Sequence, residues 1–330
     1  MTQRLRLGVL TRVYAPDASP RVLHNTLALI EAAEALGFDS AWVAQHHFGR
    51  ETGRLPSPLV LLAAASRRTS RIALGTGVIV LPLETPLRVA EDAAVLDALS
   101  AGRLQLGFGA GFEPDVFDVF GRTFDARAID QANALAALRD AFDGVPLGEA
   151  GATLQPPAPT LSARIWQATS GVEAVARNGH GLIVARSAQH GEAALIARYR
   201  RAWTEAHAPR IALVRAVIPG ADTARVDAQL APDILNYAAR LAQAHGAPAP
   251  QQADVARLLD QFGVLRGAPD AIVAALRDDP AREGITDLVV QVQTFSTSLD
   301  DALQRLETVA RTIAPALGWS PSSASPPLTL

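Results

Sequence analysis

The chain has 330 residues, with 30 Lys and Arg against 33 Asp and Glu, a formal net charge of −3, and no cysteine. That balance gives no electrostatic drive toward nucleic acid or an anionic membrane, and the lack of cysteine excludes disulfides, thiolate nucleophiles and Cys-ligated metal centres. MTQRLRLGVL is too short an apolar run for a signal peptide, and no window reaches the roughly 18–20 apolar residues of a membrane span; a cytoplasmic protein is expected.

Leu5 to Leu10 reads as a first strand, and Val22 to Leu36 as a helix that Gly37 closes. Phe38 to Ala44 is the second strand, running into Gln45-His46-His47, and a helix from Ser57 to Thr69 follows. Ile72 to Leu81 is β-branched and continuously apolar, the pattern of a strand buried on both faces. Leu87, Ala90, Ala94, Val95 and Leu99 then recur at helical spacing, and Leu104 to Phe108 forms the fourth strand. A strand–helix–strand unit of this kind implies parallel pairing. Gly75, Gly77, Gly107, Gly109 and Gly111 crowd the carboxyl ends of these strands, where a parallel sheet receives its ligand and where glycine lets a flat ligand approach the backbone.

Ala126 to Phe142 is helical, and the Gly- and Pro-rich residues 143–162 read as a hairpin or extended excursion. Arg164 to Ala168, Leu182 to Ala185, Ile211 to Ile218 and Asp287 to Val292 supply strands five to eight. Helices follow over Val172 to Asn178, Glu192 to His207, Thr223 to Ala244 and Leu299 to Ile313, the third long enough to be an insertion. Eight strands each followed by a helix is the count of a (β/α)8 TIM barrel with insertions at its C-terminal face; a doubly wound open sheet is the competing α/β architecture. One domain is expected over residues 1–318, with a disordered tail over 319–330.

His46 and His47 directly follow the second strand, at the catalytic end. Adjacent histidines on an extended segment point opposite ways, so one can be a packed core histidine and the other exposed, or one can face a pocket as a proton-transfer group. No carboxylate beside them completes a metal set, so no metal site is expected. Thr169-Ser170-Gly171 precedes a helix, and either caps it or cradles a phosphate. Arg186, ending the next strand, favours the phosphate. Gly107-Phe108-Gly109-Ala110-Gly111 lacks the helix and acidic residue of a dinucleotide fingerprint. Glu84 reads as a loop charge rather than a pocket carboxylate. A barrel enzyme acting on sugar phosphates is compatible with these residues.

LGTGVIVLPLETPLRVAEDAAVLDALSAGRLQLGFGAG, with GFDSAWVAQHHF upstream, resembles the bacterial luciferase-like flavin monooxygenases, and in detail the FMN-dependent luciferase-like subgroup. The resemblance implies an enzyme that uses reduced FMN and O2 to oxidise a small organic substrate, with the reduced flavin (FMNH2) supplied by a separate flavin reductase, and a homodimer. It maps the catalytic base to His46 and a non-proline cis peptide under the flavin ring to Gly77–Val78, with Gly109 at the same strand ends. Phosphate contacts map to Thr169, Ser170, Gly171 and Arg186, and the flavin side chain to Gln167 and Ala168. Two positions depart from the pattern: the acid before the histidine pair is Gln45, and an arginine that assists the phosphate is Ala110. These departures leave open an F420-dependent hydride-transfer oxidoreductase and a non-catalytic flavin-binding homologue.

Overall fold

The apolar runs become parallel strands in a computed structural model, which describes residues 4–14, 20–49, 53–185, 191–244, 248 and 251–321. The strands are β1 (Arg6–Thr11), β2 (Ser40–Val43), β3 (Ala73–Thr76), β4 (Ile79–Val80), β5 (Leu104–Gly109), β6 (Ile165–Ala168), β7 (Gly181–Ala185), β8 (Ile211–Pro219), β9 (Leu265–Gly267) and β10 (Asp287–Gln291). Pairing runs β10–β1–β2–β3–β5–β6–β7–β8, and β8 returns to β10 through pairs such as Val214 with Val289. The ring therefore closes. An open doubly wound sheet would leave two edges unpaired; this one has none, which makes it a (β/α)8 barrel.

The surrounding helices are α1 (Arg21–Ala35), α2 (Pro58–Ser66), α3 (Pro86–Leu99), α4 (Pro114–Val119), α5 (Arg127–Phe142), α6 (Val172–Arg177), α7 (Glu192–Ala202), α8 (Thr223–Ala244), α9 (Val255–Gln261), α10 (Pro269–Asp278) and α11 (Leu299–Thr308). Their buried Leu, Ile and Ala side chains cover the outside of the strands, as in Leu62, Ala90, Ala93 and Leu138. Inside the ring, Trp42 and Trp166 meet edge to face with centroids 5.5 Å apart. Two rings of that size fit because their neighbours are glycine: a Cβ on Gly75 would overlap the Trp42 ring, and one on Gly181 the Trp166 ring. Gly75 thus serves the barrel interior, and Gly107 lies hard against the Thr76 carbonyl. The expectation that both lie open to a ligand is corrected; Gly77 and Gly109 remain as the glycines of the rim.

Several elements differ from the sequence reading. The run from Ile72 to Leu81 is not one strand: it breaks at a cis Gly77–Val78 peptide, where the resemblance maps one, and resumes as β4 against Phe108 and Gly109. β9 pairs with the end of β8, and with α8 and α9 builds a small separate core around Ile218, Leu230, Ile234 and Leu258. The long helix therefore belongs to an accessory layer beside the barrel. Residues 143–162 contain one antiparallel bridge, Leu147 with Ala152, as a hairpin requires. Packing also continues past residue 318. Trp319 is buried, leans on Phe38 and donates its indole N–H to Asp39 at 2.9 Å.

Among the described residues, no helix is long and apolar enough to cross a membrane, and no group of three or more His, Asp or Glu side chains could hold a metal ion.

Candidate active site at the barrel rim

The chain leaves β2 through Ala44 into Gln45, and Gln45 fixes that corner. Its Oε1 accepts from the Val80 N–H at 2.7 Å, while its Nε2 donates to the Pro56 carbonyl at 3.0 Å and to Glu84 at 2.7 Å. Its backbone N–H donates to Val78. An amide can donate and accept at once; an ionised carboxylate can only accept. Glu84 is therefore no free loop charge. It is half-buried, held by Gln45, and its field raises the basicity of His47 against the opposing effect of burial.

His46 is 7 % exposed, its backbone N–H donates to the Leu55 carbonyl, and its Nδ1 is buried with no partner among the described residues. Burial, with the nearby positive Arg12 and His47, pushes its imidazole down to about 3 against a hydrogen bond to the Ala44 carbonyl. At neutral pH the ring is uncharged and keeps a lone pair for a proton. Gly53 closes over it with φ near +149°, and a Cβ there would stand 2.6 Å from His46 Nδ1. Only glycine combines that backbone with that approach. His47 turns away from this contact and lies edge-on to Phe120 at 4.8 Å. The pair thus divides its roles as alternation on an extended segment requires.

From this corner the rim continues along adjacent strands. The half-buried Gly77 and Val78 come next, then Gly109, whose Cβ position would be 2.8 Å from Val78. Ala168 and Val78 border the interior cluster of Leu10, Trp42 and Trp166. His46, Gly77, Val78, Gly109 and Ala168 therefore occupy one arc running from β2 to β6. Beyond it, Thr169 Oγ1 accepts from the Gly171 N–H at 3.1 Å, beside the exposed Ser170.

Gln167 does not share a face with Ala168. Strand alternation turns it outward, where its Nε2 lies 2.8 Å from His180 Nδ1. There it joins Thr169, Gly171 and Ala110 in a cavity of about 310 Å³ between α5 and α6. Arg186 lies outside the described residues.

Three features escaped the sequence reading. Arg12, just past β1, is half-buried, but the Tyr14 hydroxyl that accepts from it and the nearby Glu113 carboxylate keep it charged; an arginine at a strand end was the available signal. Gly53 carried none, because its demand arises from His46 across a loop. Phe48 and Phe112, 70 % and 67 % exposed, stand with Phe120 at the rim, and Phe48 adopts φ of +55°. Such strain in a non-glycine residue clusters at functional sites.

A family model described as luciferase-like monooxygenase matches residues 5–291. Limonene 1,2-monooxygenase of Rhodococcus erythropolis is 36 % identical over 132 residues, covering 40 % of this chain and 32 % of that protein. The chain spans about half or less of the length of the curated relatives it matches. The oxygenating constituent of the 3,6-diketocamphane monooxygenase of Pseudomonas putida, solved with FMN, superposes with a TM-score of 0.77 at 18 % identity, covering 94 % of this chain and 98 % of that one. The F420-dependent tetrahydromethanopterin reductase of Methanopyrus kandleri superposes at 0.72 with 19 % identity, covering 94 % and 99 %. At those identities the two structures speak to the fold.

Proposed function

The chain belongs to the luciferase-like monooxygenase family, and on that premise we propose that it is a flavin-dependent monooxygenase that uses reduced FMN and O2 to oxidise a small organic substrate, with a separate reductase supplying the flavin. The observation that carries this reading is His46: a buried, uncharged imidazole with an unpartnered Nδ1 on the same arc as Gly77, Val78, Gly109 and Ala168.

In this reading Gly77, Val78, Gly109 and Ala168 face the ring of the cofactor. Thr169, Ser170, Gly171 and Gln167 serve its phosphate-bearing side chain, together with Arg186. The bound flavin supplies the electrons that activate oxygen. His46 holds or accepts a proton at its free ring nitrogen, and the Arg12 charge keeps that nitrogen a weak base until a negative charge develops nearby. Gln45 and Glu84 fix the segment that carries the imidazole. Phe48, Phe112 and Phe120 exclude water and favour an apolar substrate.

A protein of the same fold binds FMN, which supports the cofactor assignment. The alternative, an F420-dependent oxidoreductase, draws on Ala110 in place of a phosphate-binding arginine and on an F420-dependent neighbour of the same fold. Oxygen uptake by the purified protein separates them. Substrate-dependent oxygen consumption with chemically reduced FMN is expected; turnover with reduced F420 and no oxygen uptake would overturn the monooxygenase reading. We also take residues 1–318 as one barrel domain that forms a homodimer.

A further inference from the structure

The charge of Arg12 lies at the mouth of the barrel and is not matched within it. Arg12 directly follows β1, and its backbone is tied to the histidine corner: the Arg54 N–H donates to its carbonyl at 3.3 Å, and a Cβ on Gly53 would overlap that carbonyl and His46 Nδ1 together. The guanidinium is close enough to interact electrostatically with His46 after β2, Glu113 after β5 and Tyr237 on α8. Its neighbours thus come from three sides of the strand ends. The residue is packed around by these groups yet keeps part of its surface accessible, which places it on the wall of a cleft rather than in a core.

Among the described residues its side chain makes one hydrogen bond, a long one of 3.4 Å to the Tyr14 hydroxyl, and no ion pair. Glu113 acts on it from beyond ion-pairing distance and has a partner of its own. A guanidinium carries several N–H donors in a planar fork that fits a carboxylate edge to edge. In an enclosed cleft little water competes for that fork, so a charge-assisted pair made there is stronger than one on the open surface. The rest of the mouth is apolar. Phe48 and Phe112 are exposed, Phe120 lies 5.7 Å from Phe48, and Phe112 shares a small hollow with His46.

We infer that the substrate is an apolar molecule with one anionic head of the carboxylate class, the head bound by Arg12 and the body by Phe48, Phe112 and Phe120. This names the substrate class of the reaction proposed above and rests on that reading, although the pocket can be tested without the reaction. An anion at Arg12 also offsets the positive field that lowers His46, so the imidazole becomes a better base when substrate is present.

Titration calorimetry of the full chain, with and without FMN, reads the pocket through decanoate and naphthoate, each set against its neutral amide. The acids are expected to bind about tenfold or more tighter than the amides. That preference is expected to vanish in Arg12→Gln and to persist, reduced, in Arg12→Lys, which keeps the charge without the fork. Phe112→Ser is expected to weaken acid and amide alike and leave their ratio unchanged. The parent ratio and Arg12→Lys carry the test where Arg12→Gln does not fold. Failure of both acids to bind, equal binding of acid and amide, or an acid preference that survives Arg12→Gln would overturn the assignment. So would a loss of FMN affinity in Arg12→Gln as large as the loss for the acids, which would give the guanidinium to the cofactor. If the acid preference behaves as expected while reduced FMN supports no substrate-dependent oxygen uptake, the anion pocket stands and the monooxygenase reading fails.

Discussion

Gln45 and His46 are neighbours with opposite needs. The amide of Gln45 makes three side-chain hydrogen bonds in both directions, one of them to a carboxylate. Gln45→Glu would place a second negative charge against Glu84 and lose both donations. Equilibrium urea unfolding at neutral pH should register a loss of about 1–3 kcal/mol or more. The deficit should shrink as pH falls, because a protonated carboxyl can donate again. A variant as stable as the parent at neutral pH would refute the role given to Gln45. For His46, removing the ring leaves the flat rim of Gly77, Val78 and Gly109 in place. His46→Ala should therefore lower turnover by roughly 10²–10⁴-fold, the usual range for a positioned acid or base, with a much smaller change in flavin affinity. Equal turnover in the variant would remove the imidazole from the chemistry.

At the scale of elements, α2 and α3 carry an apolar stripe that the barrel does not use. Leu87, Val95 and Leu99 lie on one face of α3, eight and four residues apart with the exposed Glu91 between the first two, and Val60 on the adjacent α2 is 72 % exposed. Isolated exposed aliphatics are ordinary, but a row across two packed helices marks an interaction surface. Two copies meeting through this face would bury it symmetrically. If the proposed homodimer uses this face, light scattering of Val95→Asp, a charge placed in the stripe, should report a smaller species than the parent. A dimer of unchanged stability in the variant would move the interface elsewhere.

For the whole molecule, pH dependence follows from two buried histidines. His46 and His180 are lowered in the fold to about 3 and about 4 from an ordinary 6.5. Below 6.5 the unfolded chain therefore binds protons that the folded chain refuses. Stability is fully present above that value and falls with pH, with both histidines acting down to about 4 and His46 alone to about 3. Each contributes a slope of up to about 1.4 kcal/mol per pH unit. Asp287, raised by burial, works in the opposite direction. Urea midpoints measured downward from neutral pH should drop steadily through the weakly acidic range. A flat profile there would mean that the two rings are not held neutral by the fold.

Much of this protein was legible in the chain itself because its signals are local. A buried parallel strand must be continuously apolar, and its helix must repeat at 3.6 residues, so alternation of the two patterns specified a parallel α/β fold, with the open doubly wound sheet still in competition with the barrel. The histidine pair and the small residues after β6 were visible for the same reason: a site at strand ends is written where apolar runs stop. What the tertiary structure decided depends on residues distant in sequence. Gly75 looks like a ligand-side glycine until Trp42 is seen to fill the ring, and Glu84 looks like a loop charge until Gln45 reaches it. Gln167 separates from Ala168 only when strand alternation is combined with a barrel that has an inside and an outside. Ring closure and the company each side chain keeps are properties of juxtaposition, which no local pattern encodes.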